Sequence, residues 1–405
     1  MSTDEFCHVF GLDGYRCKST FLQNEQIVLE VEPTVFDLRC SQCGCRHVIR
    51  RGSYRRWYRG VPIGSCPVYI QLDVPRVSCS ECGALRQVRV DFADEQRSYT
   101  KMLERYILDL SKSMTIQDVA RHVRVSWDMV KDIQKRYLSK RFEKIRLRDL
   151  RLLAVDEICI GRGHRYLTVV LDLVSGAVVF VGDGKGADAL TPFWKRLHSS
   201  HAKIDAVAMD MSPAYIQAVK KNLPLAAIVF DHFHIIKLFN EKLSDLRREL
   251  YREATELMQK QVMKGTRWLL LKNPENLDDS ANETARLQEA LRLNQPLATA
   301  YYMKEDLRQI WLQYDKESAQ TLLDDWVRRA EKSGIPILIK FAHTIGSHRT
   351  GILAFYDHNA ISTGPLEGTN NKIRVLQRKA YGFRDKEFFK LKIYALHESR
   401  FKLVG

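Results

Sequence analysis

The sequence predicts a multidomain α/β protein: a small cysteine-rich β domain, a group of short helices, and a mixed sheet interrupted by an all-helical block. Three observations predict this. Eight of the nine cysteines lie before residue 83, four of them in two Cys-x-x-Cys-Gly knuckles, Cys40–Gly44 and Cys79–Gly83. Between residues 152 and 231, short apolar runs alternate with turn residues and amphipathic stretches, the mark of strands and crossover helices. Beyond residue 231 strand signals mostly stop and a period near 3.6 takes over. A length of 405 residues allows roughly two to four domains.

The charge bounds the partners. Lysine and arginine number 64 against 49 acids, a net charge of +15. Such an excess predicts a polyanion as partner, nucleic acid first and an anionic membrane surface second. No charged-apolar-small pattern opens the chain, and no stretch reaches the roughly 18 unbroken apolar residues of a membrane span. The expectation is a cytoplasmic protein with no membrane association. In that compartment clustered cysteines point to metal or buried thiols rather than disulfides.

Two knuckles can aim four thiolates, Cys40, Cys43, Cys79 and Cys82, at one structural Zn²⁺. Ile27–Glu32 and Val68–Val74 alternate as strands, so a zinc ribbon with a β-hairpin insert fits. Cys45 is a possible substitute for Cys43, and Cys7, Cys17 and Cys66 read as plain buried thiols. Between the knuckles Arg50, Arg51, Arg55, Arg56 and Arg59 sit among Tyr54, Trp57 and Tyr58. Guanidinium groups bind phosphate bidentately and aromatic rings stack on bases, so the arginines and Trp57 are candidate DNA contacts. The alternative is a charged, solvated strand edge.

Leu103, Tyr106, Ile107 and Leu110 give one apolar helical face. Thr115 with Asp118 resembles a capping box, opening a helix Ile116–His122. Ser126 caps a second, Trp127–Tyr137, across the turn Val123–Val125. This is a helix-turn-helix pattern, whose second helix would expose Lys131, Lys135 and Arg136 to DNA. A plain helical hairpin is the rival reading.

Leu152–Cys159, Tyr166–Asp172 and Ala177–Val181 read as an antiparallel meander. Then come a helix Ala187–His198, a strand Ile204–Asp210, a helix Ser212–Asn222 and a strand Ala226–Phe230. The order βββαβαβ resembles the ribonuclease H-like fold, a mixed sheet with an antiparallel edge. Helices are predicted over His232–Lys264, Asp278–Leu293, Leu297–Asp315, Ser318–Lys332 and Ile337–Ile345, with Trp268, Trp311 and Trp326 as apolar anchors. Pro365–Lys379 and Asp385–Glu398 close the chain. The expected domains are residues 1–95 (zinc ribbon), 96–140 (helix-turn-helix), 141–151 (basic linker), 152–239 (ribonuclease H-like part), 240–358 (all-α insertion) and 359–405 (the C-terminal helices of the ribonuclease H-like domain).

Asp156 and Asp210 each end a buried strand, and Glu367 sits in the first turn of a helix opened by Pro365. Three hard oxygen donors with open positions suit Mg²⁺ in phosphoryl chemistry, and a pair of such ions can work on a phosphodiester without a side-chain nucleophile. Glu157 alternates to the other face of its strand. Asp172 and Asp183 read as turn formers. From Glu367, Asn370, Asn371, Arg374 and Arg378 follow at helical spacing, a face suited to phosphate. Asp231, His232 and His234 are possible accessories, or simply a capped helix start.

These residues together resemble a family. Cys40–Gly44, Cys79–Gly83, Ala154–Glu157, Tyr166–Asp172, Asp210–Tyr215, Asp231–His234 and Glu367–Lys372 stand in the order found in bacterial insertion-sequence transposases of the ISL-three group. The resemblance implies a zinc ribbon, a helix-turn-helix and a ribonuclease H-like catalytic domain with Asp156, Asp210 and Glu367 as its DDE triad. It implies two Mg²⁺ (or Mn²⁺) ions besides the Zn²⁺, and double-stranded DNA, both element ends and target, as partner. It further implies at least a homodimer on DNA and a nucleoid-associated place in a bacterial cytoplasm. A regulator with a dead catalytic domain, or a nuclease or resolvase without strand transfer, are the rival readings.

Overall fold

The computed structural model describes residues 7–35, 37–161, 163–255, 260, 263–358 and 360–397. It divides into two compact units, Met1–Glu143 and Lys144–Gly405.

The first unit is built on a five-stranded sheet. Its strands are β1 (Tyr15–Gln23), β2 (Gln26–Pro33), β3 (Val48–Arg59), β4 (Val68–Cys79) and β5 (Leu85–Gln87). They run in the order β1-β2-β4-β3, with β5 also on β4. The sheet is larger than a hairpin insert, because β2 pairs parallel with β4 and brings β1 with it. Nothing alternates cleanly in β1, whose side chains are almost all exposed. Strand β4 carries the core: Val68, Ile70, Leu72 and Val74 pack with Leu29, Val31 and Phe92. Cys7 is buried there, whereas Cys17 and Cys66 are half-buried.

Three helices follow, Lys101–Leu110, Ile116–Val123 and Trp127–Phe142. Thr115 and Ser126 cap the last two by accepting from the amides of Asp118 and Met129, each at 3.1 Å. Arg124, left-handed at φ 55°, ends the middle helix. Val119, Val123, Val130 and Ile133 close the helical core.

Arg59 joins sheet and helices. It is 4% exposed, and its two terminal nitrogens donate to the carbonyls of Val68 (3.0 Å) and Val123 (2.8 Å). Val123 is the last residue of its helix, where a cation meets the negative end of the dipole. The Tyr69 ring lies under the guanidinium at 5.1 Å. Burial lowers the pKa of this guanidinium. Arg59 is therefore a structural tie, and its place among the DNA contacts expected from the sequence is corrected.

The second unit holds a mixed sheet of β6 (Leu152–Gly161), β7 (Arg165–Asp172), β8 (Val178–Asp183), β9 (Ala206–Met209) and β10 (Ala227–Phe230). The order is β10-β9-β6-β7-β8, with β6, β7 and β8 antiparallel and β9 and β10 parallel to β6. Helix Thr191–Ser200 packs on one face through Phe193, whose ring stands 5.4 Å from Phe180. On the other face Ala154, Ile158 and Ala208 meet Leu366 and Ile373 of helix Gly364–Lys379, and Phe389 and Ile393 of helix Lys386–Ala395. The last helix, expected over Asp385–Glu398, ends at Ala395; Glu398 itself lies outside the described residues.

Between β10 and these last helices lies the helical block. His232–Glu253 starts it, and Glu283–Leu293, Gln295–Gln309, Lys316–Lys332 and Pro336–Ser347 form its body. Lys264, the expected end of the first helix, lies beyond undescribed residues. Phe239, Trp326 and Phe341 pack edge to face, with centroids 4.9–5.9 Å apart. Trp326 and Trp311 are buried anchors as expected; Trp268 is 65% exposed, with Arg267 over its ring. A further helix, Arg349–Asp357, was not anticipated from the sequence. It leans on β10 through Gly351, where a Cβ would stand 2.4 Å from the Phe230 ring.

A polar contact also ties the start of the block to the chain that leaves it. Asp231, next after β10, caps helix His232–Glu253 by accepting from Phe233 N at 3.0 Å. Its other oxygen accepts from the amide of Thr363 at 3.2 Å and from the Thr363 hydroxyl. Burial disfavours the Asp231 charge, but His234, Thr363 and the Phe233 amide outweigh it and hold the carboxyl at about 2.

Two outcomes follow. Arg59→Ala takes the donor from the buried Val123 carbonyl, while the Val68 carbonyl keeps the Gly60 amide at 2.9 Å, and should destabilise the first unit by about 2 kcal/mol in denaturant unfolding of the full chain; Arg59→Lys, with no fork to span both carbonyls, should recover only part. The depressed Asp231 carboxyl contributes stability above its unfolded pKa, about 4, that is lost as pH falls to about 2. Asp231→Asn should therefore cost about 2 kcal/mol at neutral pH, and the gap to wild type should close across that acid window.

Candidate active site and metal centres

The Cys40 and Cys82 sulfurs stand 3.6 Å apart, as do those of Cys43 and Cys79. All four lie within 4.8 Å of one another. Tetrahedral ligands at about 2.3 Å from zinc stand about 3.7 Å apart, so the four thiols fit one Zn²⁺. Each knuckle is closed by its glycine in a left-handed turn, φ 76° at Gly44 and 68° at Gly83, whose amides donate to the carbonyls of Cys40 and Cys79. Amides of Cys43 and Gln42 bring the Cys40 thiol down to about 6, and the Cys82 and Glu81 amides lower Cys79 likewise. Cys45 stands outside this set of four.

The basic stretch is β3, an edge strand of its sheet. Arg50, Arg51, Arg55 and Trp57 are exposed along it, and Arg55 pairs with Asp73 at 3.1 Å. Arg56 is turned inward, donating to Gln87 at 3.0 Å. Lys131 and Lys135 are half-buried on the second helix of the helix-turn-helix, Lys131 over the Trp127 ring. Arg136 is spent within the unit on Glu104, with the Tyr99 ring beneath it. Trp127 itself is 43% exposed at the start of that helix, the end that commonly meets bases. In the sequence it reads only as a helix start.

The acids converge by strand register. Leu152, Leu153 and Ala154 pair in parallel with Ala206, Val207 and Ala208. Continued two residues, the register sets Asp156 level with Asp210. Phe230 pairs with Met209, and Asp231 N donates to Met209 O at 3.0 Å, so Asp231 comes level with Asp210. Three aspartates thus share one line across three parallel strands: Asp210 and Asp231 follow the ends of β9 and β10, where sites in such sheets collect, whereas Asp156, expected at a strand end, is the fifth residue of β6, which runs on to Gly161. Ala154 and Ala208, two residues before Asp156 and Asp210, pack toward the C-terminal helices, which fixes the face.

Helix Gly364–Lys379 lies against that line. Asn370, 3% exposed, donates to Asp156 at 2.8 Å, and Thr363 at its start holds Asp231. Glu367 comes one turn after Thr363 and one turn before Asn370, and is exposed. Asn370 is therefore a buried partner of Asp156, whereas Asn371, Arg374 and Arg378 continue the exposed stripe from Glu367. Among the described residues, the oxygens of Asp156, Asp210 and Glu367 do not all fall within 4.8 Å of one another.

The electrostatics are those of clustered acids. Burial first, then Asp210 and Glu157, raise the Asp156 pKa against the opposing pull of His234. His234 is raised in turn by Asp231, Asp156 and Asp210. Asp210 accepts from Ser212 N at 3.0 Å, an Asx turn. Each of these carboxylates has acceptor capacity left, whereas Asp231 spends both oxygens on Phe233 and Thr363. The Asn370 Oδ1 is buried without a hydrogen-bond partner. Hard oxygens, crowded like charges and an orphaned carbonyl oxygen suit a hydrated divalent cation. Glu157 faces the opposite side and accepts from Tyr215 OH at 2.9 Å. Asp172 closes its turn by accepting from Ser175 N at 2.9 Å, and Asp183 pairs with Lys390.

Three family models match the chain. One described as "Transposase", of the ISL3 type, covers residues 153–393. "Helix-turn-helix domain of transposase family ISL3" covers 88–138, and "zinc-finger of transposase IS204/IS1001/IS1096/IS1165" covers 38–82. The transposase for insertion sequence element IS1001 of Bordetella parapertussis is 34% identical over 90% of each chain. The transposase for insertion sequence element IS1557 of Mycobacterium tuberculosis is 30% identical over 89% of this chain and 86% of that one. A solved structure, the Drosophila P element transposase strand transfer complex, is 11% identical over 75% of this chain and 92% of that one, with a TM-score of 0.40. With its zinc-ribbon cysteines, its helix-turn-helix and its mixed sheet in the order these models require, the chain belongs to the ISL3 family of transposases.

Proposed function

We propose that this transposase cuts DNA at the ends of an insertion sequence and joins the freed 3′-hydroxyls to target DNA, using Asp156, Asp210 and Glu367 to hold two Mg²⁺ or Mn²⁺ ions. The observation that carries this is the register that brings Asp156 and Asp210 level on two paired strands, beneath the helix that bears Glu367. Ions bound there would activate water or a 3′-hydroxyl and stabilise the leaving oxygen. Asn370 engages one Asp156 oxygen and so orients the carboxylate. Asp231 anchors the helix start through Thr363, and His232 and His234 line the rim as positioning groups. Asn371, Arg374 and Arg378 would track the phosphates on the exposed stripe.

The first unit supplies end recognition in this reading. Arg50, Arg51, Arg55 and Trp57 offer an exposed basic and aromatic edge, and Lys131 and Lys135 lie on the recognition helix. Arg56 and Arg136 serve chiefly to brace these elements. Zn²⁺ at the four cysteines fixes the ribbon. Two ends related by symmetry call for a homodimer or larger assembly on DNA, working at the bacterial nucleoid in the cytoplasm. The domain boundaries expected from the sequence belong to the same proposal.

The test is cleavage of duplexes carrying the inverted repeats that flank the gene. Asp156→Ala, Asp210→Ala and Glu367→Ala should each lower Mg²⁺-dependent cleavage by at least about 1,000-fold while binding of the same duplex changes little. Asn370→Ala should lose about 10- to 100-fold, the usual effect of removing a group that orients a metal ligand. Cleavage retained by any one of the three alanine variants would remove that acid from the triad.

A further inference from the structure

The outer side of the ribbon carries three donor groups that the four-cysteine site does not use. Cys45, His47 and Glu81 place one sulfur, one ring nitrogen and one carboxylate oxygen within 4.8 Å of one another. We propose that they form a second metal site, for a divalent ion of the zinc class, beside the structural Zn²⁺.

The knuckles themselves position the three groups. Cys45 follows the first knuckle directly, and its carbonyl accepts from Cys40 N at 2.9 Å. His47 N donates to the Cys45 sulfur at 3.1 Å. Glu81 lies inside the second knuckle, between Cys79 and Cys82. Ser80 ties that knuckle to His47, its amide and hydroxyl both donating to the His47 carbonyl, at 3.1 and 2.7 Å. Four backbone-anchored contacts therefore hold the donors together, and ordering of the ribbon would order the second site as well.

The spacing favours a shared ion over a plain ion pair. His47 Nδ1 and Glu81 Oε1 stand 3.3 Å apart. A charge-assisted bond between such groups closes to about 2.7–2.9 Å, whereas two ligands of one tetrahedral zinc, each at about 2.0–2.1 Å, stand about 3.3 Å apart. The donor set is mixed, one soft and two harder, and suits Zn²⁺, Co²⁺ or Ni²⁺ over Mg²⁺. His47 and Glu81 are exposed, so a fourth position stays open to water, unlike the closed four-cysteine site.

The test is metal content and cobalt spectroscopy of the full chain, wild type against the double variant Cys45→Ser, His47→Ala. Both substitutions spare the bonds to the Cys45 and His47 carbonyls; of the four contacts only that from His47 N to the Cys45 sulfur changes, to a serine hydroxyl. After dialysis against excess Zn²⁺, the double variant should hold one zinc fewer per chain than wild type. With Co²⁺ it should lose the weaker absorption of a one-thiolate site and keep the strong thiolate-to-cobalt bands of the four-cysteine site. Equal zinc content in the two proteins would overturn the proposal. Loss of the four-cysteine bands in the double variant would also overturn it, by assigning Cys45 or His47 to the structural site. Cys40→Ser separates the two readings, since it should remove the strong bands whatever happens at Cys45.

Discussion

The second unit depends on how one late helix meets three parallel strands. Residues 364–379 return to the sheet after the whole helical block, and two contacts fix where they land. Thr363 binds Asp231 beyond β10, and Asn370 binds Asp156 within β6. Both are polar contacts in buried surroundings, where an unpaired partner is costly. Behind them Leu366 and Ile373 press on Ala154 and Ala208. Small alanines on the sheet admit the helix close enough for Asn370 to reach the carboxylate. The placement of Glu367, exposed between the two anchors, follows from that docking.

The same economy appears in the first unit. A single buried guanidinium, Arg59, satisfies a strand carbonyl and a helix-end carbonyl at once, and so ties the sheet to the helix-turn-helix. The opposite end of its strand leads back to the knuckles. Strand β3 thus runs from a metal-clamped turn to a buried cation, and its exposed middle carries Arg50, Arg51, Arg55 and Trp57. A strand held at both ends can present charge along a free edge without losing its pairing.

Much of this was legible in the sequence. The Cys-x-x-Cys-Gly spacing marked the ribbon, Thr115 and Ser126 marked two helix starts, and the apolar runs marked β6 to β10. Alternation along Leu152–Glu157 correctly separated Asp156 from Glu157, because a strand's period of two fixes opposite faces. What stayed hidden had no local signal. Strand β1 owes its place to pairing with β2, not to a buried pattern of its own. Arg59 looks like its neighbouring arginines in sequence, and only the chain reversal at Val123 gives it a buried partner. Asn370 and Arg136 read as surface groups by helical spacing, yet each faces a specific carboxylate. Trp268 carries an anchor's side chain on a helix of five residues whose inward positions are taken by Leu269 and Leu270. The level alignment of Asp156, Asp210 and Asp231 is a property of register, which no single stretch encodes.

The function proposed here rests on Asp156, Asp210 and Glu367 binding divalent ions on the Asn370 side of the sheet. Crystals of the protein soaked in Mn²⁺ test it most directly, through the anomalous signal of the ion. The account predicts manganese within coordination distance of Asp156 and Asp210, on the face where Glu367 can close over it. Manganese on the Glu157–Tyr215 face, or none beside Asp156 and Asp210 under conditions that support cleavage, would contradict it.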